Sequence, residues 1–389
     1  YNIRIGDVEH IPCSEGAGNK LHGTKLNQEY LVVNGQASNW TTKQNTYHYN
    51  TAEGYSDALS DDAKIATLFE YGEQGAVYDC SDRSTMFQDN LGTTPITASG
   101  QTCGLHLDKS RGLVRGANVT LASTFEKTAD GTLFTTLLNA AGNEGKWFEV
   151  TFNASVSSGG IIIRSTALST AVSANVVVGA NRAILPIVLS TGGISIGGVT
   201  TSRANVTDIS VRELPGNHRY QPTLASRPQY IEDASGHYLL YDGDNDWMET
   251  NAVDFSGTDK MTVWWGGRKL SDASTGMLVE LSQNGDIVNG AFYIASAISS
   301  GNNFRFNSRG TNPAGSTNSG HVAPLSAVVT GVGDIASPLA RTRVNGVSTE
   351  VTLNQGTGNY GNHKLFFGRR NGTILPFNGR EYMTIIRGA

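Results

Sequence analysis

The apolar residues of this chain fall mostly in short runs with period-two spacing, punctuated by Gly, Asn, Ser and Asp. The clearest case runs from Gly236 to Leu270. Tyr238, Leu239, Leu240 and Tyr241 form a short apolar run that reads as a strand. A tight acidic turn follows, Asp242 to Asp246, in which Gly243 can take positive φ and the Asp and Asn side chains can bond nearby backbone. A second turn, Asp254 to Lys260, leads into Met261, Val263 and Trp265 alternating with Thr262 and Trp264. Such alternation sends one set of side chains into a core and the other toward solvent or a second layer. No helix-forming run intervenes, so the pattern predicts an antiparallel β-sandwich.

The same rhythm continues on both sides. Strand-like runs at 277–281, 291–295, 304–308, 327–332, 340–344 and 364–368 alternate with turns, and Asn345-Gly346 marks a hairpin tip. Further runs at 132–138, 147–153, 160–164, 175–178, 183–189 and 205–212 are enough for a complete sandwich between residues 111 and 214. One helix is predicted, over 60–71. Ser60 can cap it, Asp61 and Asp62 lie in its first turn, Ile65, Leu68 and Phe69 share a face, and Gly72 stops it. It reads as a connector. The first residues are strand-like at Tyr1, Ile3, Ile5 and Val8, then polar, with a strand at Leu31, Val32 and Val33 ended by Asn34-Gly35. This segment is thin in apolar residues. It reads either as an arm or small β module that attaches the protein to something else, or as a plain extension packed on the next domain.

Composition agrees with an all-β chain. Of 389 residues, 46 are Gly and only 10 are Pro, and 16% are charged, a length sufficient for two or three cores. A formal charge of −5 argues against a nucleic-acid groove, which needs a basic surface. No run approaches the ~20 apolar residues that membrane insertion requires. The chain begins at Tyr1 with no secretory leader, and reads as a processed or partial product whose true start the sequence does not give.

Certain stretches carry a resemblance. Tyr-Asp-Gly-Asp-Asn-Asp at 241–246 and Asp-Phe-Ser-Gly-Thr-Asp-Lys-Met-Thr-Val at 254–263 resemble the opening of a concanavalin A-like (laminin-G-like) jelly roll of tailed-bacteriophage virion proteins. Residues 358–389 resemble the closing strands of that domain, and 75–110 its lead-in. In such proteins a Gly-Asn-His element soon follows the lead-in. Here it stands at Gly216-Asn217-His218, about a hundred residues on. The run 205–214 resembles the last strand of carbohydrate-binding-module-like jelly rolls in phage tail proteins.

The implied fold is all-β, with two jelly-roll sandwiches, one inserted into the other. Residues 1–59 are the N-terminal arm or small β module and 60–71 the connecting helix. Residues 72–110 and 215–389 form a discontinuous lectin domain, and 111–214 form the inserted jelly roll. Insertion is tolerated where chain ends meet at a surface. The implied role is a non-enzymatic structural protein on the virion surface (tail, collar or capsid decoration), forming a homo-oligomer. Its implied partners are other virion proteins and cell-surface or environmental glycans. A receptor-binding tail fibre or spike is the alternative, and a glycan-cleaving enzyme the third.

Several residues bear on chemistry. The cysteines are odd in number: Cys13, Cys80 and Cys103. No Cys-x-x-Cys or paired-His spacing favours zinc. They read as buried inert thiols, as an interchain disulfide through Cys13 formed outside the reducing cytosol, or as a Cys80–Cys103 pair. Cys80 stands where the resembled motif has Pro, and Cys103 where it has a small apolar residue. Asp242, Asp244, Asn245 and Asp246 cluster oxygens of the kind calcium takes, without the Gly and Glu of an EF-hand; turn-capping is the competing reading. Gly193-Ile-Ser195-Ile-Gly197 fits the hydrolase nucleophile pattern, but Ser195 lies in a β run without the required strand-turn-helix context, and so reads as a solvent-facing strand serine. Glu280 and Asp286 are candidate paired carboxylates of a glycosidase, or surface residues at strand ends. Trp247, Trp264, Trp265 and Tyr360 are the aromatics that a sugar-stacking site would use. In the Trp264-Trp265 pair, alternation puts one ring inside and one outside.

Overall fold

The computed structural model describes residues 65–158, 160–168, 172–199 and 201–388, preceded by the backbone of 20–25, 28–33, 49–50 and 54–55. Two compact units result, Tyr1–Gly72 and Glu73–Ala389. In the first, Lys20–Lys25 pairs antiparallel with Gln28–Val33, and Tyr49–Asn50 with Gly54–Tyr55. Residues 65–67 are helical and turns follow over 68–71, so the helix does not extend to 71 as expected; Gly72, at a φ of +82°, closes the turns and not the helix. The expected helix start at Ser60 and the expected strand near Tyr1 lie outside the described residues. Among those described, no helix is long and apolar enough to cross a membrane.

The second unit contains two β-sandwiches. The larger packs a nine-stranded sheet on an eight-stranded one. Around a common core lie Tyr78, Met248, Trp265, Phe292, Phe306, Tyr360, Phe367 and Ile386. Gly236–Asp242 belongs to the eight-stranded sheet and Met248–Asp254 to the nine-stranded one. The acidic turn between them is therefore an arch from one layer to the other and not a hairpin. Asn345 and Gly346, with φ of +47° and +91°, do join a hairpin, between Leu339–Val344 and Val347–Val351. Two positive φ values are what its right-handed twist requires.

Strands from before residue 110 complete both layers of this sandwich. Gly75–Asp79 pairs with Asn378–Gly388 along Met383 to Arg387, continuing the edge that Gly236–Asp242 covers from Asn378 to Glu381. Leu105–His106 pairs with Arg219–Tyr220 in the other sheet.

Between these pieces, the smaller sandwich has two four-stranded sheets. One runs Gly179–Pro186, Trp147–Ser158, Arg203–Glu213, Phe125–Lys127; the other Val172–Asn175, Ile161–Ser165, Gly193–Gly198, Leu133–Asn139. Phe148, Val150, Ile163, Leu185, Ile194, Ile196, Val206 and Val211 fill the space between. The expected run at 175–178 is displaced, because the strand ends at Asn175 and Val177 and Val178 form an exposed turn.

The two sandwiches share a dry junction. Trp147 and Ile184 from the smaller pack with Phe87, Leu105 and Leu107 from the larger. The Trp147 ring lies 5.4 Å from His218 and 5.6 Å from Tyr220. Gly92 is needed at this seam: its φ is +64°, and a Cβ would meet Ile184 at 2.7 Å.

Candidate functional site

One sheet of the smaller sandwich carries the site. Period-two geometry turns Ile161, Ile163, Ile194 and Ile196 inward and leaves alternate positions on the outer face. Register then sets two rows across the four strands. Ser173, Arg164, Ser195 and Thr136 form one; Asn175, Ile162, Gly197 and Phe134 form the other. A bulge between Ile194 and Ser195 shifts the pairing so that both Leu137 and Leu138 face the core while Thr136 and Asn139 stay outside.

Arg164 and Phe134 define the chemistry. The guanidinium carbon lies 3.5 Å from the Phe134 ring centroid, a cation–π contact worth about 0.5–2 kcal/mol. Arg164 Nε donates to Ser195 Oγ at 3.0 Å. Gly197 sits directly across from Phe134, and a Cβ there would come within 2.5 Å of the ring, so only glycine lets the phenyl lie so close to the sheet. Beside them, Gly193 N–H donates to Thr166 Oγ1 at 3.1 Å, and a Cβ on Gly193 would strike the Leu138 carbonyl at 2.1 Å. The result is a cleft of about 220 Å³ bordered by Arg164, Phe134, Thr136, Asn139, Thr166 and Ser195, with backbone at Gly192 and Gly193. Among the described residues its lining offers one fixed cation, several hydroxyl and amide groups, and no carboxylate.

Ser195, expected to face solvent, is instead buried beneath Arg164. It lies within a strand, and its partner is a guanidinium N–H that donates to the hydroxyl oxygen, the reverse of the hydrogen bond a general base would accept from it.

The residues expected to stack on sugars are placed elsewhere. Trp264 and Trp265 are 6% and 1% exposed, so neither ring is outside. Alternation does put them on opposite faces of Lys260–Lys269, but that strand is central and both faces are covered; Ile385, beside Trp264, is fully buried. Tyr360 is also core, its hydroxyl 2.6 Å from Ser308 Oγ. Trp247 is half-buried, tilted against Phe366, and Gly372 lies so close that a Cβ would meet its indole at 2.6 Å.

The acidic turn caps itself. Asp242 Oδ1 accepts the backbone N–H of Asp244 at 2.8 Å, Asn245 at 3.1 Å and Asp246 at 3.3 Å. Asp246 Oδ2 in turn accepts Asp242 N–H at 3.0 Å. Burial, and then repulsion from Asp242 and Asp244, push the Asp246 carboxyl up to about 7. Among the described residues no group of three or more His, Cys, Asp or Glu side chains is placed to hold a metal. These bonds are those of the turn-capping reading.

Glu280 is not a surface residue, since it is fully buried. Arg370 lies between the two candidate carboxylates, donating to Glu280 at 3.0 Å and to Asp286 at 2.6 Å. A cation in that position blocks the open gap that a glycosidase pair keeps for substrate. Burial, opposed by Arg370, raises the Glu280 carboxyl to about 7. Cys80 and Cys103 are free, fully buried thiols in the main core, and Cys13 lies outside the described residues. Burial raises both thiols, that of Cys103 to about 12.

Arg164 and Phe134 are not among the candidates that the sequence motifs point to. The signal was there: a charge in the outward phase of Ile-Ile-Ile-Arg-Ser and a ring in the outward phase of Leu-Phe-Thr-Thr. Their adjacency, however, depends on the intervening strand Gly193–Gly198.

No family model matches the chain. No curated protein matches it either. Solved structures give distant likenesses. The botulinum neurotoxin type G receptor binding domain is 10% identical, with a TM-score of 0.30, over 43% of this chain and 44% of that one. Domains LG4-5 of the mouse laminin alpha1 chain are 10% identical, with a TM-score of 0.30, over 69% of this chain and 89% of that one. The extracellular region of zebrafish Gpr126/Adgrg6 is 10% identical, with a TM-score of 0.27, over 70% of this chain and 36% of that one. Scores this low carry no argument, and the all-β sandwich assignment rests on the strand order and cores described above.

Proposed function

We propose that this chain is a non-enzymatic glycan-binding structural protein of a tailed-phage virion surface, and that its smaller sandwich supplies the binding face. In this reading the larger sandwich is a lectin-like domain split by an insertion, with 72–110 and 215–389 as its two parts. The cleft at Arg164 carries the proposal: hydroxyl and amide groups beside a fixed cation suit the hydroxyl-rich edge of a sugar. At about 220 Å³ it is smaller than the ~300–1,000 Å³ clefts that enclose a drug-sized ligand, which suits one unit of a longer chain. The non-enzymatic part is supported by Ser195, whose partner is a hydrogen-bond donor, and by Glu280, which is sealed under Arg370.

Incubation of the purified chain with host surface polysaccharide tests this reading. Retention of the polysaccharide without new reducing ends supports it. Release of reducing ends overturns the non-enzymatic part, and failure to retain any polysaccharide overturns glycan binding. Copy number in purified particles tests the placement: many copies fit decoration or a collar, and a few at one tail tip overturn that role.

A further inference from the structure

We infer that the cleft selects an acidic sugar unit, one bearing a carboxylate on the ring, over a neutral one. The inference rests on the glycan-binding reading above and narrows its ligand class. Three observations carry it.

The first is charge. The chain has five more acidic than basic residues overall, 34 against 29, yet the described residues that line the cleft include one arginine and no carboxylate. Elsewhere in the same sandwich three arginines find acids, Arg115 and Arg182 at Glu149 and Arg203 at Asp130, while Arg212 bonds Ser210 and the Gly116 carbonyl. Among the described residues Arg164 makes no such pair.

The second is pre-organisation. The guanidinium rests on Phe134 and is tied through Nε to Ser195. That leaves its two η nitrogens as a fork already held in place, the geometry that grips a carboxylate in two parallel hydrogen bonds. Little side-chain freedom remains to be lost when an anion arrives.

The third decides between sugar classes. A neutral sugar is usually held by stacking on an exposed ring. Among the described residues Phe134 is the only ring at the cleft, and its face carries the guanidinium at 3.5 Å while Gly197 lies close against it. The stacking platform is already occupied, and what the cleft presents is charge.

Titration calorimetry of the full chain with two tetrasaccharides of equal length, one of glucuronate and one of glucose, tests the inference. The expected result is tighter binding of the glucuronate oligomer, weakened by roughly tenfold or more in Arg164→Gln and weakened by added salt. Arg164→Lys keeps the charge without the fork and is expected to restore only part of the affinity. The salt series on the unaltered chain keeps the test independent of how the variants fold. Equal binding of both oligomers, or glucuronate binding indifferent to salt and to Arg164→Gln, overturns the acidic preference while leaving glycan binding in place. Binding of neither oligomer at this cleft overturns the site itself and the preference with it.

Discussion

Arg219 and Glu381, 162 positions apart, meet as a buried ion pair in which one η nitrogen donates to both carboxylate oxygens at 2.8 and 2.9 Å. The pair is a knot of four chain segments. Tyr241 donates to the same carboxylate at 2.9 Å, Thr384 at 2.5 Å, and His106 Nδ1 lies 3.0 Å from the other Arg219 η nitrogen. Tyr78 and Phe367 cover the guanidinium, at 4.4 and 4.8 Å from their ring centroids. A buried pair of this kind adds little net stability, but breaking it strands a charge. Glu381→Gln is expected to cost about 3–5 kcal/mol in urea unfolding, whereas Arg219→Met combined with Glu381→Leu recovers most of that loss.

Acid should loosen the same region. His218 is fully buried, its Nδ1 accepts the Asp108 N–H at 3.0 Å, and burial lowers its pKa to about 3. Because the folded value lies below the unfolded one near 6.5, the unfolded chain binds the extra proton first. Stability from this residue is complete above pH ~6.5 and declines as pH falls toward about 3. His106 shifts the same way, through burial and then the Arg219 cation. His218 tilts unfolding free energy upward with pH through that window, so the slope measured in His218→Gln should be less positive than in the unaltered chain.

Asp246 gives the opposite slope over an overlapping window. Its folded carboxyl is raised to about 7, so its contribution is complete below the unfolded value of 3.8 and is lost as pH rises through about 7. Asp246→Asn should remove that decline. If calcium stabilised the protein in proportion to concentration and the effect vanished in Asp244→Asn, turn-capping would not be the whole account of this loop.

Trp147 is expected to couple the two sandwiches. It begins a strand of the smaller one and packs with Phe87 and Leu105 of the larger. Trp147→Ala should cost about 3–5 kcal/mol. It should also bring forward proteolysis near residues 111–118 and 214–217, where the chain passes between the sandwiches. Unchanged cleavage would mean that the junction does not hold them together.

The thiols make a simpler prediction. Cys80 and Cys103 are sealed in the core with raised pKa values, so a thiol reagent should leave both unmodified until the chain unfolds. An interchain disulfide in intact particles would then run through Cys13, and Cys13→Ser should remove any disulfide-linked band.

Much of the fold was legible because period-two alternation survives in strands with one dry face, as at Leu325–Asp334, whose burial alternates almost throughout. It misled at Trp264-Trp265, where alternation assigns faces correctly but says nothing of whether each face is covered. It also hid the larger sandwich's arch at Asp242, since a turn between layers and a hairpin turn use the same residues. The candidate site was legible only in pieces. Ser195 was visible as a motif, but its partner Arg164 stands 31 positions earlier and becomes a neighbour only through strand register. Phe134 lies two strands from Arg164, and no local pattern joins them.

Thr136→Trp offers the most direct test, because this exposed position borders the cleft and an indole there would fill it. Equilibrium binding of host surface polysaccharide to the unaltered chain and to Thr136→Trp, with thermal unfolding as a check on folding, compares the open and the filled cleft. The account predicts that binding falls at least roughly tenfold while the melting temperature stays close to that of the unaltered chain. Undiminished binding by a folded Thr136→Trp chain would contradict it and move the glycan face elsewhere on the molecule.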